Sequence, residues 1–222
     1  MLEKPDFPEE QIIACLQSEY DLPVTSLDFL PLGADLNTAV YRVTGKDDRQ
    51  YFLKLRRGDF FHASAAVPKY LSELGIQQII PPLTTQSGQL CTPLPPYTLI
   101  LFPFVTGQHG FDKPLSSNQW IAFGSAISRF HSATFPSQMT AGIPREDYSP
   151  RWRSVVRSGL KRVFQETFDD PLALEFAAFM KNHAGKTSNL IHRAEHLAGL
   201  LQEQPRDCIL CHGDMHAWNL LV

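Results

Sequence analysis

Residues 208–222, CILCHGDMHAWNLLV, decide the fold and the function predicted for this chain. The apolar run at 208–211 predicts a β-strand, and the glycine after His212 lets the backbone turn sharply behind it. Asp214 can accept the proton of a hydroxyl group, and Asn219 can offer a neutral oxygen to a divalent cation. Phosphoryl transfer from ATP needs both functions, so the segment predicts such a site here. A surface loop that contains an aspartate and an asparagine by chance is the alternative.

Two earlier segments carry the other parts of a nucleotide site. A turn with Gly33 and Asn37 joins two predicted strands, and its backbone N–H groups can cover phosphates. Lys54 stands among apolar residues on the next predicted strand. Taken alone, the turn is a plain hairpin and the lysine is a solvent-facing side chain. Their order along the chain, with an apolar strand and a distant His-Gly-Asp loop behind them, predicts a protein-kinase-like fold.

The hydrophobic periodicity divides the chain into a strand-rich and a helix-rich part. Strands first and helices afterwards predict an α+β protein with two lobes. The N-terminal antiparallel-sheet lobe takes residues 1–105, and the helical C-terminal lobe takes residues 106–222. Strands are predicted at 26–32, 38–44, 50–56, 79–85 and 97–104. Helices are predicted at 8–20, 62–74, 120–131, 152–164, 172–183 and 190–201.

Composition narrows the class of protein. The 222 residues carry a net charge of −3, which does not favour nucleic acid or an anionic membrane as a partner. No apolar run long enough for a membrane span and no apolar signal core occur, which predicts a cytoplasmic protein without a membrane partner. Four cysteines are too few for a disulfide framework.

Cys208, Cys211 and His212 also satisfy two other patterns. The order C-x-x-C-H is that of haem attachment, which would require export to an oxidising compartment. Together with His216, the three residues offer ligand types that zinc accepts, although four ligands within nine residues would be crowded. We prefer a buried strand in which the free cysteines act as small hydrophobes.

The loop at 212–219 resembles the HGDxHxxN catalytic loop of the aminoglycoside phosphotransferase family, whose fold is similar to that of protein kinases. The resemblance runs through essentially the whole chain. The segments at 75–80, 119–120 and 148–153 look most like the spectinomycin phosphotransferase branch. The resemblance implies Mg²⁺-dependent transfer from ATP to a hydroxyl of a small molecule, with spectinomycin as the leading acceptor and antibiotic resistance as the role. Amino alcohols and sugars stay open as acceptors.

The same resemblance implies roles for individual residues. Asp214 would be the catalytic base, and Asn219 would be a Mg²⁺ ligand. Lys54 would pair with the α- and β-phosphates. The other implied nucleotide contacts come from the covering loop and from a hinge that faces adenine with one carbonyl and one N–H: Gly33, Asn37, Pro103 and Val105.

Two features depart from the family's pattern. The family expects a glutamate on the helix after the lysine strand, but residues 62–65 hold none and Glu73 falls near the helix end. It also expects a further Mg²⁺-binding aspartate beyond the catalytic loop, whereas the sequence ends at Val222. We therefore expect a chain truncated after the catalytic loop, with an incomplete helical lobe, impaired activity, and a homodimer or swapped assembly. A nucleotide-binding protein without turnover, resembling a pseudokinase, is the competing hypothesis.

Overall fold

A computed structural model of the chain describes residues 3–33, 35–205 and 207–222. Five strands form an antiparallel sheet in the order β1-β2-β3-β5-β4. They are β1 (Val24–Leu30), β2 (Thr38–Gly45), β3 (Gln50–Arg57), β4 (Thr92–Leu94) and β5 (Tyr97–Pro103). The helices are α1 (Glu9–Tyr20), α2 (Ala63–Glu73), α3 (Ser117–His131), α4 (Ser137–Thr140), α5 (Arg151–Gln165), α6 (Pro171–Asn182) and α7 (Ala184–Gln202), followed by a 3₁₀ turn at Ala217–Asn219.

The first core lies between α1 and one face of the sheet. Tyr41, Leu53 and Leu101 lie opposite one another on β2, β3 and β5, and all three are fully buried. Ile12 and Leu16, four positions apart on α1, belong to the same cluster because that spacing places them on one helix face. Since side chains alternate along a strand, the residues between these core positions leave the sheet on its other face.

A second core joins α2 to α3. Its buried members are Leu71, Ile76, Ala126 and Phe130. The Arg129 guanidinium, on α3, donates to the Gly75 carbonyl at 2.9 Å and to the Leu74 carbonyl at 2.7 Å. These bonds satisfy carbonyls at the C-terminal end of α2, which have no partner inside that helix. Leu210 packs against the same cluster and so anchors the chain just before the predicted catalytic loop.

The chain forms two compact units, one of Met1–Ile143 with Ile209–Val222 and one of Pro144–Cys208. The second unit consists of α5, α6 and α7, with an ion pair between Arg157 and Glu195 linking the first of these helices to the last. None of the helices in the described residues is both long and apolar enough to cross a membrane. The lobe boundary at residue 105 stays a prediction.

Most of the predicted helices and strands are confirmed, and with them the α+β class. The strand predicted at 79–85 is wrong: no strand forms there, because Pro81 and Pro82 lack the N–H groups that a ladder requires. The strand predicted at 208–211 is also wrong. That segment pairs with no strand in the described part of the chain, and Cys208 and Cys211 are exposed. The interpretation of these two cysteines as buried hydrophobes is therefore wrong as well.

Candidate functional site

Residues 212–219 form a loop that folds back on itself. Gly213 has a φ of +78°, a backbone conformation that glycine adopts without a steric penalty. The Asp214 backbone N–H donates to Nδ1 of His212 at 3.3 Å, which closes the turn. The 3₁₀ turn then returns the chain, so that Asn219 lies beside Asp214.

Two hydrogen bonds join the side-chain amide of Asn219 to Asp214. Nδ2 of Asn219 donates to the Asp214 backbone carbonyl at 2.8 Å and to carboxylate Oδ2 at 3.0 Å. Because both bonds use the nitrogen, the lone pairs of Asn219 Oδ1 stay available for another partner. The Asp214 side chain is 74% exposed, so its carboxylate is accessible to a ligand. The structure thus brings these two predicted site residues into contact.

His216 connects both residues to the 3₁₀ turn. Its Nδ1 accepts a hydrogen bond from the Trp218 backbone N–H at 3.2 Å. In a neutral imidazole this bond leaves the ring proton on Nε2. Nε2 lies 3.4 Å from Asp214 Oδ1, so its N–H faces the carboxylate. Nε2 also lies 3.3 Å from Nδ2 of Asn219, so the side chains of Asp214, His216 and Asn219 are in mutual contact.

Lys54 lies on the sheet face away from α1. The residues directly opposite it, Val40 on β2 and Ile100 on β5, are buried. Burial lowers the pKa of the Lys54 ammonium below its ordinary value. Within residues 3–33, 35–205 and 207–222, none of the ion pairs includes Lys54, and Glu73 pairs with Lys69 at 3.4 Å. The Lys54 ammonium is therefore a half-buried cation without a counter-charge from the residues that the structure describes.

The loop between β1 and β2, which contains the predicted Gly33 and Asn37, is tied to β3 through Asp35. One oxygen of the Asp35 carboxylate accepts the Asn37 backbone N–H at 3.0 Å, and the other forms an ion pair with Arg56. Arg56 stands two positions after Lys54 on β3, so both side chains leave the sheet on the same face. The predicted covering loop and the lysine strand are therefore held together by an ion pair. Gly33 has a φ of +91° in this loop.

The predicted hinge begins with Pro103, the last residue of β5, and one of its backbone edges faces away from β3. The Phe104 N–H donates toward β3 at 3.2 Å, whereas the Leu101 carbonyl accepts the Leu83 N–H at 2.7 Å on the opposite side. Backbone groups alternate along an extended chain, so the Pro103 carbonyl and the Val105 N–H face away from β3. The Val105 N–H makes no hydrogen bond to any residue that the structure describes. This edge has the donor that an adenine ring requires.

Sequence reasoning missed two contacts around these residues. The first is the Asp35–Arg56 ion pair, although the spacing of Arg56 from Lys54 was an available signal for a shared face. The second is the packing of residues 107–111 on the end of the catalytic loop, where Gln108 and Val222 exchange two backbone hydrogen bonds at 3.1 and 2.9 Å. No local pattern reveals that contact, because it joins segments far apart in the sequence.

The oxygen atoms beside Asp214 suit Mg²⁺. In phosphoryl-transfer sites Mg²⁺ keeps several waters and takes one or two protein oxygens in addition to substrate phosphates. Asn219 Oδ1 and the Asp214 carboxylate are hard oxygen donors of that kind. Across the described residues, no group of three or more His, Cys, Asp or Glu side chains could enclose a metal ion. The donor set therefore fits a hard cation shared with a nucleotide, rather than a closed protein cage.

The fold and this loop agree with the family to which the chain is matched. The chain matches the phosphotransferase enzyme family, APH, over residues 28–222, and it belongs to that family. Its structure is similar to that of spectinomycin phosphotransferase APH(9)-Ia in complex with ADP and spectinomycin, with 29% identity and a TM-score of 0.88. That match covers 98% of this chain and 66% of the other. These findings confirm the predicted protein-kinase-like fold.

Two further solved structures are similar to this chain to different degrees. The AMP-bound spectinomycin phosphotransferase APH(9)-Ia is 27% identical with a TM-score of 0.82, over 96% of this chain and 65% of that one. An aminoglycoside phosphotransferase from Alicyclobacillus acidocaldarius shares the fold at 18% identity and a TM-score of 0.53, over 91% and 55% of the two chains. No curated protein sequence matches the chain. The chain spans just under two thirds of the spectinomycin phosphotransferase structures that it resembles.

Proposed function

We propose that the protein transfers the γ-phosphate of ATP to a hydroxyl group of a small molecule in the presence of Mg²⁺. The observation that carries this proposal is the pairing of Asp214 with Asn219 through the amide nitrogen, because it sets a proton acceptor beside an amide group whose oxygen is not used in that pairing. Phosphoryl transfer requires little else from the protein than positioning and charge stabilisation. The family to which the chain belongs supports the same reaction class.

In the proposed reaction, Asp214 accepts the proton of the acceptor hydroxyl. The hydroxyl oxygen bonds to the γ-phosphorus, the bond from that phosphorus to the bridging oxygen breaks, and ADP leaves with the electron pair. His216 Nε2–H faces the other carboxylate oxygen and holds Asp214 in place for this step. Mg²⁺, when bound, neutralises phosphate charge, and Asn219 Oδ1 would hold it.

The nucleotide is proposed to bind along the face of the sheet that carries Lys54. The Lys54 ammonium there would meet the α- and β-phosphates, and the loop with Gly33 and Asn37 would cover them. The Pro103 carbonyl and the Val105 N–H would meet the adenine edge. The complexes of the similar spectinomycin phosphotransferase with ADP and with AMP support a nucleotide at this fold.

The acceptor that we propose is an aminocyclitol such as spectinomycin, with antibiotic resistance as the resulting role. Its support is the similarity to a phosphotransferase crystallised with spectinomycin. A coupled ADP-release assay of the full-length protein tests the proposal with spectinomycin, an aminoglycoside, a macrolide and simple sugars and amino alcohols. Acceptor-dependent ADP release that is highest with spectinomycin is the expected result. Release with another acceptor alone would reassign the substrate, and no release with any acceptor would contradict the proposed transfer.

One observation favours a second candidate, a nucleotide-binding protein without transfer. Among the described residues, Lys54 pairs with no carboxylate, whereas a carboxylate positions the corresponding lysine in active kinases. Tight Mg²⁺-dependent binding of ADP together with an absence of phosphate transfer would support this candidate over the enzyme.

We also propose a homodimer or swapped assembly and a cytoplasmic location. Exposed large apolar side chains on α5, α6 and α7 support association, since extended patches of this kind promote it. They include Trp152, Phe164, Leu172, Phe176, Phe179 and Leu190. Light scattering coupled to size exclusion measures the mass of the assembly, and a monodisperse monomer would contradict the dimer.

A further inference from the structure

We infer that His109 is a positioning residue that fixes the orientation of Asn219 toward a divalent cation. This inference rests on the proposed function, since it assigns a task to a residue outside the HGDxHxxN loop. His109 lies in the segment 107–111, which we call the post-hinge segment because it follows the proposed hinge at 103–105. The contacts of this segment with residues 217–222 carry the argument.

The imidazole of His109 reaches the residue directly before Asn219. Its Nδ1 lies 3.0 Å from the backbone carbonyl oxygen of Trp218. A carbonyl oxygen can only accept, so Nδ1 of His109 must carry a proton and donate it. The bond therefore holds the peptide group that connects Trp218 to Asn219.

Aromatic packing supports the same residue from its side chain. The His109 and Trp218 rings lie 5.1 Å apart between centroids, and the Phe111 and Trp218 rings lie 5.3 Å apart. Such ring pairs contribute beyond the area that they bury. The Trp218 ring is thus packed against two rings of the post-hinge segment while its carbonyl accepts from His109.

The backbone of the post-hinge segment follows the end of the loop. The Gly110 N–H lies 3.1 Å from the carbonyls of both Ala217 and Leu220. A Cβ at position 110 would lie 3.1 Å from the Ala217 carbonyl oxygen, which is tighter than ordinary contact. His109 itself pairs with Leu221 as an isolated antiparallel bridge. Peptide groups on both sides of Asn219 are therefore held by one short segment.

These contacts leave the Asn219 side chain little freedom. The two hydrogen bonds from Nδ2 to Asp214 fix the amide group. The contacts of the post-hinge segment fix the backbone of Asn219, because they hold the peptide groups on both sides of it. Loss of the His109 donor would leave the Trp218 carbonyl unpaired and allow the 3₁₀ turn to rotate. Residues that orient metal ligands change metal affinity by about 10- to 100-fold when they are mutated. The effect should therefore appear in the dependence on Mg²⁺.

Two substitutions separate the donor of His109 from its ring. His109→Phe keeps a ring against Trp218 but removes the donor. His109→Asn removes the ring, but its amide nitrogen occupies nearly the position of Nδ1 and can donate to the same carbonyl. We expect His109→Phe to raise the Mg²⁺ concentration for half-maximal ADP binding about tenfold. His109→Asn should stay within about threefold of the parent protein, with His196→Asn, at an exposed histidine of α7, as the matched control.

The measurement is a Mg²⁺ titration of ADP binding by calorimetry, alongside ADP binding without Mg²⁺, which His109→Phe should leave unchanged. The chain has three tryptophans, so Trp218 can be followed alone by fluorescence after Trp120→Phe and Trp152→Phe. More efficient acrylamide quenching of Trp218 in His109→Asn than in the parent would verify the ring contact.

An unchanged Mg²⁺ requirement in His109→Phe would overturn the inference while leaving the proposed function intact, provided that Asn219→Ala still raises the requirement. If Asn219→Ala has no effect either, the proposed metal role of Asn219 is wrong and the inference about His109 falls with it.

Discussion

The side-chain amide of Asn219 donates to the carboxylate of Asp214, Nδ2 to Oδ2 at 3.0 Å, and so couples the proposed metal ligand to the proposed base. The bond consumes one lone pair of the carboxylate and leaves the others for an acceptor hydroxyl. It also sets the amide so that the nitrogen points toward Asp214 and the oxygen away from it. A change at either residue should therefore disturb the other. A lowered kcat identifies the base, and a raised Mg²⁺ requirement identifies the metal ligand.

Asp214→Asn should lower kcat in the full-length protein by about a hundredfold or more, because an amide cannot accept the hydroxyl proton. Affinity for ATP should change little, since the carboxylate acts on the acceptor rather than on the nucleotide. Steady-state kinetics and ADP calorimetry measure the two effects. Asp169→Asn, at an exposed aspartate in the second unit, is the matched control. A variant that retains most of its kcat would show that Asp214 is not the base.

Lys54 should make nucleotide affinity dependent on pH. Burial lowers the pKa of its ammonium, so Lys54 loses its proton at a lower pH than an ordinary lysine does. Phosphates favour the charged form, so ADP affinity should be highest below that lowered pKa. It should weaken by up to about tenfold per pH unit above it, where binding must take up one proton.

The control for this prediction is Lys54→Met, which keeps much of the side-chain volume but cannot titrate. Its ADP affinity should be lower at neutral pH and nearly flat across the alkaline range. Calorimetry from neutral pH to about the ordinary lysine pKa of 10.5 provides both curves. An equal alkaline slope in the parent protein and in Lys54→Met would assign the titration to another group.

Local patterns predicted the parts of the site that depend on neighbouring residues. The five-residue spacing of Asp214 and Asn219 is short enough for one turn to close, and the structure closes it with two hydrogen bonds. The β-rich run of apolar residues around Lys54 predicted its strand correctly, because strand-forming composition is a local property of the sequence. The apolar run at 208–211 carried the same kind of signal and was misread. A strand needs a partner ladder, which a local pattern does not contain.

Contacts between distant segments lay beyond sequence reasoning for the same reason. Asp35 and Arg56 meet only because β2 and β3 pair in the observed register. His109 meets Trp218 only because the post-hinge segment runs beside the end of the catalytic loop. In the sequence, each pair consists of ordinary polar or aromatic residues that no local pattern connects. The sequence therefore did not reveal the side chains that position the predicted site residues.

Asp35→Asn should weaken nucleotide binding about three- to tenfold by loosening the loop that contains Gly33. Asp35 accepts from the Thr38 hydroxyl at 3.0 Å and pairs with Arg56, and the amide loses the ion pair. Both side chains are partly exposed, so the free energy of unfolding should change by less than about 1 kcal/mol. ADP calorimetry and thermal denaturation measure the two quantities.

The matched control for that change is Asp47→Asn. Asp47 pairs with Arg49 at 3.2 Å in the turn between β2 and β3, and both side chains are exposed. The change removes a comparable ion pair from a turn that contains no predicted site residue. An equal loss of ADP affinity in both variants would show that the loop ion pair has no specific part in nucleotide binding.

Tyr41→Phe should leave the free energy of unfolding unchanged or raise it by about 1 kcal/mol. The Tyr41 hydroxyl is fully buried and has no hydrogen-bond partner among the described residues, so its removal relieves a desolvation cost.

Burial also raises the pKa of Tyr41 from 10.0 to about 12. Between those values the unfolded chain releases a proton that the folded chain retains, so stability should fall as the pH rises through this window. Urea denaturation at pH 7 and at about pH 11 should show a smaller alkaline loss in Tyr41→Phe than in the parent protein. A destabilisation above about 1 kcal/mol at pH 7 would mean that the hydroxyl forms a hydrogen bond in solution.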